Sequence, residues 1–86
     1  MQRNVTITNM RSERVNYEIK DDHLSTIDAN PTVAVGGLNP GQSEVKTITT
    51  YSDTSEFQVY YRLQLSGEAW RGWDHSWVHG GLVELR

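Results

Sequence analysis

The residues best suited to binding chemistry lie together in the segment between Gly67 and Gly81. This segment holds all three tryptophans and two of the three histidines of the 86-residue chain. Tryptophan offers the largest apolar surface of any side chain, together with one N–H group that needs a partner when it is buried. Glycines at both ends and an arginine in the middle are atypical of a buried core. We therefore expect a binding surface made by Trp70, Arg71, Trp73, Asp74 and Trp77.

Three kinds of ligand fit such a surface. Sugar rings present apolar C–H faces that stack on indoles, while Glu68, Arg71 and Asp74 can bond the hydroxyls, so lectin-like glycan binding is our leading hypothesis. A protein partner or inhibitor target is the first alternative, because Trp, Tyr and Arg are common in binding hot spots. Membrane insertion ranks lower, since Trp favours the bilayer interface but Glu68 and Asp74 oppose contact with lipid phosphates. A structural role in the core is also open, although we expect at least one exposed tryptophan.

Metal and hydrolytic chemistry fit the histidines poorly. On a strand, His75 and His79 would share one face but lie about 13 Å apart, too far for a single ion. Asp74, His75 and Ser76 are the residue types of a hydrolytic triad, yet adjacent strand residues point to opposite faces. The chain contains neither a Gly-x-Ser-x-Gly motif nor a glycine-rich phosphate loop. We therefore expect a binding protein rather than an enzyme, with no metal and no cofactor.

The rest of the chain reads as strands separated by polar turns. The clearest strand is Glu56–Leu65, in which five apolar residues alternate strictly with polar ones. Tyr60 lies on the polar face of that strand, where it could extend a binding surface or pack under a neighbour. Other segments show the same alternation or are rich in β-branched residues; they are Arg3–Met10, Val15–Ile19, Thr32–Val35, Glu44–Thr50 and Leu82–Leu85.

The tryptophan segment has conflicting signals. Trp70, Trp73 and Trp77 follow the i, i+3, i+7 spacing of a helix. Gly72 interrupts this window, and a glycine costs about 1 kcal/mol relative to alanine inside a helix. We therefore predict a bent strand or a strand–loop–strand arrangement here. Leu24–Ala29 stays ambiguous, because only Leu24 and Ile27 suggest a helical spacing.

About seven short strands at fairly regular spacing predict an all-β fold, a small antiparallel sandwich or barrel. The stretch Val35–Ser43, which contains Asn39-Pro40-Gly41-Gln42 and precedes a β-branched strand, resembles the turn between strands in many immunoglobulin-like domains. This resemblance covers under a fifth of the chain and implies a fold class but no function. The cysteine pair of true immunoglobulin domains is absent.

Composition narrows the remaining possibilities. Eighty-six residues are enough for a single domain, residues 1–86. The chain has no cysteine, which suits a reducing compartment without specifying one. We expect a soluble protein, because neither an apolar signal segment nor a run of roughly 20 apolar residues is present. A net charge of −3 with both signs interspersed argues against nucleic acid as a partner. A thin core without disulfides predicts a homo-oligomer.

Overall fold

The computed structural model describes residues 1–86 and consists of strands and one 3-10 turn, Ile27–Ala29. The all-β prediction is therefore confirmed. Each predicted strand is present, with bounds shifted by a few residues at most. The seven strands are β1 (Gln2–Asn9), β2 (Val15–Asp21), β3 (Thr32–Leu38), β4 (Ser43–Thr49), β5 (Phe57–Leu65), β6 (Asp74–Val78) and β7 (Leu82–Leu85).

The strands form two sheets that pack as a small β-sandwich. The three-stranded sheet has the order β4-β1-β7, in which β1 runs antiparallel to β4 and parallel to β7. The four-stranded sheet has the order β3-β2-β5-β6 and is antiparallel throughout. The turn at Pro40 and Gly41 joins β3 of the larger sheet to β4 of the smaller one. An immunoglobulin-like arrangement in particular stays an expectation.

Alternation along the strands determines the core. In β5 the side chains of odd-numbered residues point inward from Phe57 to Leu63, while their even-numbered neighbours stay partly exposed. The inward residues of both sheets meet in one cluster, since each strand contributes every second side chain. The buried apolar residues are Val5, Ile7, Val15, Tyr17, Ile19, Ala34, Leu38, Ile48, Phe57, Val59, Tyr61, Leu63, Val78, Val83 and Leu85.

One polar pair joins the two sheets through the interior. Tyr17 of β2 is buried and its hydroxyl donates to the carboxylate of Glu44 on β4. Gly36 makes room for this pair, because a Cβ atom there would lie 2.9 Å from both Glu44 Oε1 and the Tyr17 ring. The pair therefore spans the side of the sandwich where β3 and β4 lie, and it constrains how the two sheets pack.

The tryptophan segment folds as a loop followed by a strand, as the glycine content predicts. Residues 66–73 contain no helix or strand, and Gly67 has a left-handed φ of 77°. The ambiguous segment Leu24–Ala29 contains only the 3-10 turn, and Leu24 is exposed. None of the elements is a helix with the length and apolar character needed to cross a bilayer.

Candidate functional site

The tryptophans gather on the outer face of the four-stranded sheet. Because odd-numbered residues of β5 point inward, Tyr60 and Arg62 point outward. The strand register places His75 opposite Tyr60, and Trp77 opposite Gln58. The loop before β6 adds two further indoles to the same face through their contacts with Arg62. We call this surface the aromatic face; it comprises Tyr60, Arg62, Trp70, Trp73, His75 and Trp77.

Arg62 is the central contact of this face. Its guanidinium carbon lies 4.7 Å from the ring centroid of Trp70 and 4.7 Å from that of Trp73. Its Nε and Nη2 atoms donate to Oε2 of Glu18 on the adjacent strand, at 3.1 and 2.8 Å. Lys20 approaches Trp73 as well, with Nζ 5.6 Å from the ring centroid. Cation–π contacts and the ion pair therefore hold both half-buried indoles in place.

Tyr60 and His75 form the next row of the face. Their rings stack with centroids 4.7 Å apart and an interplanar angle of 19°. His75 Nε2 also contacts a carboxylate oxygen of Asp22, which lies just after the end of β2. Tyr60 thus extends the surface, which is one of the two roles expected from its position on the polar face of β5. The contact with Asp22 anchors His75 across the breadth of the sheet.

Trp77 is the most accessible of the three indoles. Its side chain is 54% exposed, which confirms the prediction of at least one exposed tryptophan. His79 lies beside it with ring centroids 6.1 Å apart, and His79 Nδ1 is 3.2 Å from Glu56 Oε1. The following residue on the inward side, Val78, is fully buried. Trp77 is therefore held on a fixed strand while its ring remains free to contact a ligand.

Two of the five predicted site residues lie outside the aromatic face. Asp74 pairs with Tyr61 in the register, so its side chain starts on the opposite side of the sheet from His75. The backbone N–H of Arg71 donates to the Leu63 carbonyl at 2.8 Å, and its guanidinium lies 3.4 Å from Glu68. The structure therefore brings together Trp70, Trp73 and Trp77 but leaves Arg71 and Asp74 to one side.

Concave sites occur elsewhere in the molecule. The largest is an open groove of about 400 Å³, lined by Met10, Arg11, Ser12, Glu13 and Arg86. In that groove a hydrogen bond from Arg11 lowers the pKa of Glu13, with a smaller effect from the charge of Arg71. No tryptophan lines any of the three concave sites. The aromatic face is thus an open surface rather than a pocket.

No group of three or more His, Asp or Glu side chains is arranged to hold a metal ion.

Sequence reasoning did not identify Arg62, Glu18 or Lys20 as members of the site. They lie on β5 and β2, well before the tryptophans in the chain, and only the pairing of β2, β5 and β6 brings them together. One usable signal was present, because the alternation of β5 already placed Arg62 on its polar face beside Tyr60.

No family model, curated protein or solved structure matches this chain. Only the chemistry of the aromatic face therefore bears on the function of the chain.

Proposed function

We propose that this chain is a non-enzymatic, lectin-like module that binds a glycan on its aromatic face. One observation carries the proposal: Tyr60 and Trp77 occupy outward positions of the same sheet, and Trp70 and Trp73 contact the outward-facing Arg62. Folding alone does not require this, because an outward-facing strand position is filled equally well by a small polar residue. Exposing apolar indole surface to water is unfavourable, and a ligand with apolar faces would offset that cost by covering the rings.

The polar groups beside the rings suit the hydroxyls of a sugar. Gln58 is directly opposite Trp77 and is only half-buried, so its amide can both donate and accept. The side chain of Asn16 donates to the Gln64 Oε1 at 3.1 Å, which adds two further amides along the face. An indole for stacking next to amides for hydrogen bonding is the combination that a pyranose ring requires.

The charges of the face favour a neutral glycan. Arg62 is paired with Glu18, and His75 contacts Asp22, so the guanidinium and the imidazole of the face already have carboxylate partners. Lys20 donates to the carbonyls of Asn30 and Asp28, at 3.1 and 3.5 Å, and supplies the remaining positive charge. Acidic sugars would compete with these internal carboxylates for the same two side chains. A neutral chain would instead use the rings and the amides.

The arrangement also suits an extended chain rather than a single sugar. His75 and Trp77 are successive outward positions along β6, so their rows are about 7 Å apart, and Trp73 lies just before the strand begins. A linear oligosaccharide lying along the strand would contact more than one row. We therefore expect affinity to rise with the length of the oligosaccharide.

Intrinsic tryptophan fluorescence can test the proposal directly, because all three indoles belong to the proposed surface. A glycan array identifies candidates, and titration with neutral linear oligosaccharides of increasing length should then give a saturable change in emission. Sialylated or sulfated analogues should bind no more tightly than the neutral ones. Absence of any glycan binding at millimolar concentration would reject the proposal. Co-sedimentation with liposomes, or capture of a specific protein partner without glycan binding, would point to the two alternatives.

A further inference from the structure

The sandwich exposes four strand edges, and they differ in how well they are protected from pairing with another chain. β4 has two charged inward-pointing residues, Glu44 and Lys46, and charges in that position discourage edge pairing. β6 and β7 are short, with five and four residues. β3 has seven residues and no charged side chain, and its Val35 is 54% exposed. β3 is therefore the least protected edge of the molecule.

The backbone of β3 already has a substitute for a missing strand. Lys46 Nζ donates to the Val35 carbonyl oxygen at 3.0 Å, so this carbonyl points away from β2. In an antiparallel sheet the N–H and C=O of one residue point to the same side, so the Val35 N–H also faces outward. A flexible lysine caps one of these two groups, and a neighbouring strand would satisfy both.

We propose that β3 binds the β3 strand of a second copy of this chain, antiparallel, about a twofold axis at Val35. In this register each Val35 N–H donates to the Val35 carbonyl of the other copy, and Lys46 is released to solvent. The residues on either side, Ala34 and Gly36, face each other between the copies and are small. The two exposed valine side chains come into contact and leave water.

A second copy fits this edge because the strand is complementary to itself. Reversing Thr32–Leu38 about Val35 places no charge against a like charge, since the strand contains none. The contact is isologous, so it closes after two copies and exposes no further β3 edge. Both four-stranded sheets then continue as one eight-stranded sheet with the two aromatic faces on the same side. The dimer does not depend on the glycan proposal, although it would make that face bivalent.

Sedimentation equilibrium on matched valine variants tests the proposal. Val45 is 68% exposed on β4, so Val45→Lys adds the same charge to a different edge. We expect dimers at micromolar concentration for the unaltered chain and for Val45→Lys. Val35→Lys should return the monomer mass, because the paired residues would lie about 5.5 Å apart with like charges. A monomeric unaltered chain would overturn the proposal, as would a Val35→Lys variant that remains dimeric.

Cysteine cross-linking provides a test that does not depend on how well Val35→Lys folds. The chain has no cysteine, so Val35→Cys and Val45→Cys each introduce a single thiol. A Cα separation of about 5.5 Å across the twofold axis lies within the range that a disulfide can span. With diamide as oxidant, Val35→Cys should cross-link rapidly and nearly completely at low protein concentration. Equal rates of cross-linking for the two variants would refute pairing through β3.

Discussion

The outer faces of the two sheets have opposite characters although they cover the same core. On the three-stranded sheet, short side chains satisfy one another across the strands: Thr8 and Ser43 hydroxyls are 2.7 Å apart, and Thr47 donates to Asn4 at 2.7 Å. This face has no aromatic residue and one charged residue. Its members are Gln2, Asn4, Thr6, Thr8, Ser43, Val45, Thr47, Thr49, Leu82 and Glu84.

The four-stranded sheet uses long side chains in the equivalent positions. Indoles stack on an arginine there and a tyrosine stacks on a histidine, and carboxylates of neighbouring elements contact the arginine and the histidine. The small sheet shows that threonine, serine and asparagine are sufficient for an outward-facing strand in this fold. The aromatic residues of the larger sheet therefore exceed what folding requires, which is why we assign function to that face.

The largest effect that would separate the two faces is expected from Trp77→Ala. Loss of this exposed ring should weaken binding of a neutral oligosaccharide by more than tenfold, or about 2 kcal/mol for a central aromatic contact. The melting temperature should change little, because the ring is 54% exposed. Isothermal titration calorimetry and thermal melts on the same protein give both quantities.

Thr47→Ala is the matched control on the other sheet, where the side chain also faces outward from a strand. It should leave glycan affinity unchanged and alter stability by a few tenths of a kcal/mol. If Trp77→Ala retained full affinity, or if the two variants lowered affinity equally, the functional difference between the faces would be lost.

A smaller effect is expected from Tyr17→Phe. This variant tests the hydrogen bond between Tyr17 and Glu44, which joins the two sheets. Burial, followed by the hydrogen bond to Glu44, raises the pKa of the Tyr17 hydroxyl well above its ordinary value. In the unfolded chain this hydroxyl ionises near pH 10, whereas in the folded chain it stays protonated. The stabilisation is thus complete below pH 10 and declines as pH rises towards the folded pKa.

Urea unfolding at pH 8 and pH 11 measures this decline. The unaltered chain should lose about 1 kcal/mol more between these two values than Tyr17→Phe does. Tyr51→Phe is the control, because Tyr51 is 78% exposed and its replacement should leave the pH dependence intact. Parallel losses in the unaltered chain and in Tyr17→Phe would show that Tyr17 does not link the sheets in this way.

An effect no larger than that of Tyr17→Phe is expected from Arg62→Gln, which removes the cation between Trp70 and Trp73. Loss of two partly exposed cation–π contacts and of the ion pair with Glu18 should cost about 1 kcal/mol of stability. Tryptophan emission should shift to longer wavelength as the indoles become more hydrated, and glycan affinity should fall by less than tenfold. Arg86→Gln is the control, because the Arg86 side chain pairs only with Glu84. This variant should change neither the emission spectrum nor the glycan affinity. An unchanged emission spectrum in Arg62→Gln would contradict the role given to this arginine.

Local patterns were enough to predict the strands. Strict alternation in Glu56–Leu65 fixed both the strand and its inward face, and Gly72 correctly argued against a helix despite the helical spacing of the tryptophans. The same alternation shows why Asp74 leaves the site: once β6 begins at Asp74, its side chain must lie opposite those of His75 and Trp77.

The remaining features depend on contacts between distant parts of the chain. Arg62 meets Trp70 and Trp73 because the loop of residues 66–73 folds back over β5, and no periodicity describes that loop. Glu18 reaches Arg62 only through the pairing of β2 with β5. Single-sequence patterns specify which face a side chain occupies but not which strand becomes its neighbour, so the partners of the tryptophans could not be predicted.

The position of β1 between β4 and β7 has a consequence for the order of assembly. This strand precedes both of its neighbours in the sequence, and one of them, β4, is about 40 residues away while the other comes from residues 82–85. Pairing between such distant segments is entropically costly and slows folding. In the four-stranded sheet, by contrast, β2 and β3 are close in sequence and need no later segment to pair. The smaller sheet is therefore completed after the larger one, and during synthesis one edge of β1 stays unpaired until β7 has emerged.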